Sequence, residues 1–137
     1  MSLVHQIDHI AFAINDIAET SKFFVDFLGL TVSPSEEVPE QGVRVAFVQL
    51  GEVRIELVQP LSPESPVGKF IAKRGQGLHH VAMRTHDVAG ALADLKSKDF
   101  PLIDQNPKVG AHGALIAFLN PKGTSGVLTE LCQPAEH

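Results

Sequence analysis

The sequence predicts an α+β fold of two paired βαβββ modules whose strands join in one curved mixed sheet. Three observations lead there. Short motifs from the first half recur in the second, apolar spacing passes from strand-like to helical twice in the same order, and 137 residues are too few for two independent domains.

The recurrence is the firmest of the three. Ile7-Asp8-His9-Ile10-Ala11 near the start is matched by Leu78-His79-His80-Val81-Ala82, and Asp16 by Asp87, so His9 and His80 stand 71 positions apart, as do the two aspartates. Further on, Ile55-Glu56-Leu57-Val58-Gln59-Pro60 is echoed by Thr129-Glu130-Leu131-Cys132-Gln133-Pro134 at an offset of 74. One such match is unremarkable. Two histidines and two glutamates repeated in one order argue for a duplicated unit.

Each element follows from local pattern. The run 7–14 is short and rich in β-formers, so it reads as a strand. Asp16 caps a helix, with Glu19 at capping-box spacing. Ile17, Ser21, Phe24 and Leu28 lie along one helical face, and Gly29 stops the helix. Strands are expected over about 30–33, 43–50 and 53–59, with Gly51-Glu52 as a hairpin turn. The second half opens with a strand from about residue 78. Asp87 then caps a helix that buries Val88, Leu92 and Leu95, and strands follow near 101–104, 114–119 and 126–132. The modules therefore span about 5–60 and 77–134. In the linker, 61–76, prolines break regular structure before a short helix over 66–74, ended by Gly75 and Gly77. A module of about 60 residues buries too little alone, so one domain over 1–137 is expected.

Composition narrows the function classes. Hydrophobic residues make up 44%, as in a globular chain, and the net charge of −5 with dispersed Lys and Arg disfavours a nucleic-acid partner. No apolar stretch is long enough to span a bilayer, and no secretory signal is expected, since Asp8 and His9 interrupt the first apolar residues. The single Cys132 excludes an intrachain disulfide and a cysteine-rich zinc site. It reads as a buried core residue, and the setting as reduced and cytoplasmic.

The repeat also points to chemistry. In each module the histidine stands on the first strand and the glutamate on the last. If those strands are neighbours, His9 and Glu56 share a face, and symmetry gives His80 and Glu130 the same arrangement. Two imidazoles and two carboxylates make a mixed N/O set suited to one divalent metal ion. Co²⁺ is the first expectation, and Ni²⁺, Mn²⁺, Fe²⁺ and Zn²⁺ fit the same set. A lone strand histidine is usually a core or surface residue, but Glu56 between Ile55 and Leu57 and Glu130 before Leu131-Cys132 are costly to bury without a cation. Four protein ligands on a six-coordinate ion leave two positions for substrate oxygens.

These residues resemble the vicinal oxygen chelate superfamily, which includes glyoxalases, bleomycin resistance proteins and dioxygenases. Within it they are most similar to the methylmalonyl-CoA epimerase family. The resemblance runs through Ile7-Asp8-His9-Ile10-Ala11, Glu40-Gln41-Gly42-Val43, Gly77-Leu78-His79-His80, Lys108-Val109-Gly110-Ala111-His112-Gly113, and Pro121-Lys122 leading to Gly126-Val127-Leu128-Thr129-Glu130-Leu131. It implies His9, His80 and Glu130 as metal ligands, with Glu56 where some members carry Gln. The implied reaction interconverts (2R)- and (2S)-methylmalonyl-CoA through a metal-stabilised enolate. Glu130 is the first candidate for one catalytic base. Val45 stands where some members have a second glutamate, which leaves Glu56 as the symmetric candidate. Lys108, Lys122 and the glycines around His112 are candidates to receive the acyl-CoA phosphates, and His79 or His112 to reach the pocket. A homodimer is expected. The rival within the fold is glyoxalase I, which can use the same ligand set, although Pro121-Lys122-Gly123-Thr124-Ser125 looks like the epimerase loop. A non-catalytic binding member is the rival from another class.

Overall fold

A computed structural model describes residues 2–135. His137, to which the sequence assigns no role, lies outside them. The order β-α-β-β-β occurs twice, as the repeat predicts. The first set is β1 (Gln6–Ala13), α1 (Ile17–Lys22), β2 (Glu36–Val38), β3 (Val43–Leu50) and β4 (Val53–Pro60). After α2 (Pro66–Arg74) comes the second: β5 (Gly77–Arg84), α3 (Val88–Ser97), β6 (Lys108–Val109), β7 (Leu115–Leu119) and β8 (Thr129–Gln133).

The described residues form two compact units, one of residues 9–79 and one of residues 2–8 with 80–135. In the first unit the strand order is β2-β3-β4-β1, and the last strand of the module lies parallel to the first. Helix α1 covers one face, where Ile14, Phe24, Val48 and Leu57 form the core with Phe12, Ile17, Leu30, Val32 and Ile55 against it. The second unit repeats this with the order β5-β8-β7-β6, and β8 runs parallel to β5. Its helix face holds Val88, Ala91, Leu92, Ala117, Leu119 and Leu131. Val88 and Leu92 are buried and Leu95 packs against them, as the helical spacing requires.

Four expectations need correction. The first helix does not keep α geometry to its end. After Lys22 it widens into a π turn over Phe23–Phe27, with the Leu28 N–H reaching back to the Phe23 carbonyl at 3.2 Å. That wider turn leaves Phe24 inside but swings Leu28 out to 51% exposure, off the face where 3.6-residue spacing puts it. The strand expected at 30–33 shrinks to a bridge between Val32 and Val48, because the Leu30 N–H is taken by the Phe24 carbonyl; the short edge strand forms at Glu36–Val38 instead. Over 101–104 only Leu102 bridges to Leu119. The Asp104 side chain accepts the Phe118 N–H at 2.8 Å in place of a ladder carbonyl, and pairing resumes at β6. The strand expected from Gly126 begins at Thr129, since Ser125 and Gly126 are both left-handed (φ 57° and 89°).

Helix α2 occupies the predicted span. Ser65 caps it by accepting the Gly68 N–H at 3.1 Å, and Gly75 ends it at φ 79°. A Cβ on Gly68 would collide with the Ser62 carbonyl oxygen and lie 2.8 Å from that of Pro63, both rigid backbone. Gly68→Ala is therefore expected to cost about 1–3 kcal/mol, read as a lowered urea midpoint at unchanged slope.

Candidate metal centre

Strand parity places the candidate residues. In a parallel pair, register partners point to one face. His9 pairs with Arg54 and Ala11 with Glu56, so His9, Arg54 and Glu56 share the face of β1 and β4 opposite α1. Phe12, Ile55 and Leu57, on the other parity, pack into the helix-side core. In the second unit Ala82 pairs with Glu130 and Phe118 opposes it from β7, so His80, Glu130 and Phe118 share the face opposite α3.

The side chains meet accordingly. His9 Nε2 lies 3.3 Å from Glu56 Oε1, and His80 Nε2 lies 3.1 Å from Glu130 Oε1. All four residues are buried, at 3–7% exposure. Each sequence-predicted ligand is thus joined to its module partner, one His–Glu pair in each unit. The spacing serves an N–H···O contact when no ion is present. It also serves the edge of a coordination shell: adjacent ligands about 2.1 Å from an octahedral ion lie about 3.0 Å apart.

The sequence reading missed the aromatic ring beside each pair. Phe47 sits opposite Glu56 on β3 and meets the His9 ring edge-on, centroids 6.2 Å apart at 77°. Phe118 sits opposite Glu130 on β7 and meets His80 at 5.2 Å and 88°. Each phenylalanine also carries a cation: Arg54 lies 4.1 Å over Phe47 and Lys108 5.1 Å over Phe118. The signal was in the sequence, since Phe47 and Phe118 are 71 positions apart like the histidines.

The repeated Gln-Pro at the end of each motif also has a use. Gln59 accepts the Ile17 N–H at 2.9 Å and Gln133 the Val88 N–H at 3.0 Å, the first helical N–H of α1 and α3. Each last strand is thereby tied to the start of its module's helix, which holds the register that aims the glutamate. Just before His9, Asp8 is fully buried and accepts two bonds from Arg84, at 2.7 and 3.1 Å. The His5 N–H adds a bond to the Arg84 carbonyl at 3.1 Å.

The remaining candidates have these neighbours. His79 stands edge-on to Phe70 at 4.8 Å. His112 lies in a left-handed bend at φ 56°, and Lys108 pairs with Asp104 at 3.2 Å. Cys132 is buried beside Ala82, Ala114 and Ile116, the core role its composition suggested.

Comparison with known proteins agrees with this geometry. The family model of the Glyoxalase/Bleomycin resistance protein/Dioxygenase superfamily matches residues 8–118. The mitochondrial methylmalonyl-CoA epimerase of Mus musculus is 40% identical over 129 residues, 93% of this chain and 72% of that protein. A solved methylmalonyl-CoA epimerase in complex with methylmalonyl-CoA and NH4+ superposes with a TM-score of 0.92 at 38% identity, over 98% of this chain and 96% of that one. A lactoylglutathione lyase of Arabidopsis thaliana is more distant, 25% identical over 125 residues that make up 91% of this chain and 43% of that protein.

Removing either glutamine cap strands a partly buried N–H. Gln59→Ala and Gln133→Ala are each expected to lower unfolding free energy by about 1–3 kcal/mol, measured by urea denaturation. Equal stability of both variants and the parent would show that the caps do not set the register.

Proposed function

The chain belongs to the Glyoxalase/Bleomycin resistance protein/Dioxygenase superfamily and, within it, to the methylmalonyl-CoA epimerase family, and from that membership we propose that it interconverts (2R)- and (2S)-methylmalonyl-CoA with a divalent metal ion held by His9, Glu56, His80 and Glu130. The observation that carries the reading is the buried His–Glu pair repeated in the two modules. Two imidazole nitrogens and two carboxylate oxygens form a donor set for a first-row divalent ion, and the 3.3 and 3.1 Å separations come close to the edge of its shell. Two buried carboxylates also need a cation to offset their desolvation. When bound, such an ion would draw charge from the thioester carbonyl and free carboxylate of the substrate and so acidify the C2 proton.

The protein's own groups move that proton. Inversion at C2 takes a proton from one face and returns one to the other, so two acid–base groups are needed. We assign them to Glu130 and Glu56. Each carboxylate has Oε1 within 3.1–3.3 Å of its imidazole, which holds it at the face where the substrate would be chelated. Val45, buried on the same face as Phe47, has only an apolar side chain; its register partners are Glu36 on the edge strand β2 and Val58 on β4, and Glu56, two residues along β4, is the acid of that face that stands against His9.

The same reading extends to Co²⁺ as the preferred ion and to a cytoplasmic homodimer. The lone, buried Cys132 fits a reducing compartment, and exposed Phe23, Phe27 and Leu28 offer apolar surface for association. Among the described residues no helix is long and apolar enough to cross a membrane. Glyoxalase chemistry has weaker support, since the lyase relative is far less similar than the epimerases.

The test is exchange of the C2 proton of methylmalonyl-CoA in D₂O by Co²⁺-loaded protein. Deuterium incorporation with inversion, lost on chelation and restored by Co²⁺, is the expected result. Turnover of a glutathione hemithioacetal without exchange would transfer the function to glyoxalase. Glu56→Gln is expected to retain metal and to exchange one epimer without inverting it, because Glu130 still serves one face. Glu130→Gln is expected to lose at least about a hundredfold in rate. Full inversion by Glu56→Gln would remove that residue from the proton path.

A further inference from the structure

We propose that Arg54 recognises the free carboxylate of the substrate and so makes the protein selective for 2-carboxyacyl thioesters over uncharged acyl thioesters. The inference rests on the epimerase reading and adds to it a specificity residue.

Four observations within one unit converge on Arg54. It is the register partner of His9 and shares a face with Glu56, two residues along the same strand. It is half-buried, so its head is partly withdrawn from bulk water without being sealed off. Its guanidinium lies 4.1 Å over the Phe47 ring, the same ring that abuts His9. Its opposite register partner is Gln49, whose amide donates to the Gly51 carbonyl at 2.7 Å. The planar cation is therefore stacked on a buried ring beside the pair that would hold the metal.

Charge counting supplies the reason for a cation at this position. A divalent ion held by two glutamates has no net charge left, yet the malonyl group brings a carboxylate. Chelation alone then gives little electrostatic preference for that anion over a neutral acyl chain. A guanidinium beside the site restores the preference. It presents five N–H donors in a plane matched to a carboxylate, so a contact with one of the protein's own groups still leaves donors for a substrate oxygen. Contact with the Phe47 ring holds the guanidinium in place in advance, which lowers the entropy lost on binding.

The experiment compares the metal-loaded parent, Arg54→Gln and Arg54→Lys. One arm measures C2 exchange of methylmalonyl-CoA; the other measures binding of free malonate by calorimetry, which needs no turnover. Metal content is determined for all three. Arg54→Gln is expected to raise KM and weaken malonate binding by about ten- to a hundredfold, with kcat changed far less and metal content unchanged. Arg54→Lys is expected to recover part of the affinity, since it restores charge but not the planar fork. KM and malonate affinity within twofold of the parent in Arg54→Gln would overturn the proposal. Loss of metal along with affinity would also overturn it, by making Arg54 a support for the ligands. If the parent shows no exchange, the epimerase reading fails, and the malonate arm still decides whether Arg54 is a carboxylate receptor.

Discussion

The parallel pairing of the first and last strands in each module is the constraint on which the site depends. Side chains alternate along a strand, so a one-residue slip between β1 and β4 would send Glu56 into the apolar helix side and Leu57 to the polar one. The apolar cluster under α1 opposes that slip, because Phe12, Leu57 and Val48 all require the helix-side face. The glutamine caps fix the same register from the strand's end. Core packing and site geometry are one choice, made twice, because β5 and β8 repeat the arrangement over α3.

This explains what the sequence made legible. His9, Glu56, His80 and Glu130 interrupt apolar runs at positions where the opposite parity is plainly core, so alternation and repetition together expose them. Segments governed by local backbone competition were harder to read. Nothing in Phe23–Phe27 distinguishes a π turn from an α turn, since the spacing of apolar residues is compatible with either until Leu28 is seen outside. Residues 101–104 have the composition of a strand, but Pro101 has no N–H to give and the Asp104 carboxylate takes a ladder position. Phe47 and Phe118 were hidden differently: as ordinary strand aromatics they read as core, although their shared offset with the histidines marks them.

Burial of four ionisable side chains sets the energetic problem. A carboxylate removed from water is tolerable only with a partner, and each glutamate has an imidazole at 3.1–3.3 Å. Each imidazole in turn has a phenylalanine edge-on, which shields it and narrows its orientations. Asp8 shows the contrasting solution. It is buried next in sequence to His9 but is held by two bonds from Arg84, a structural pair that fixes β1 one residue before the histidine. Proximity in sequence therefore does not confer the same role, and the partner decides it.

Duplication gives the two pairs equivalent chemistry, and the reaction proposed here makes use of that equivalence. Epimerisation has two near-equivalent half-steps, each a proton transfer to or from the same carbon, and in the proposed reading one carboxylate from each module serves one of them. Substrate recognition has no such symmetry, because the thioester and the carboxylate differ. The cations stacked on the two phenylalanines differ accordingly. In one unit it is the planar guanidinium of Arg54, beside the register partner His9; in the other it is the Lys108 ammonium, already paired with Asp104 at 3.2 Å. In the proposed reading the module repeat is kept where the chemistry is symmetric and is broken where the substrate is not.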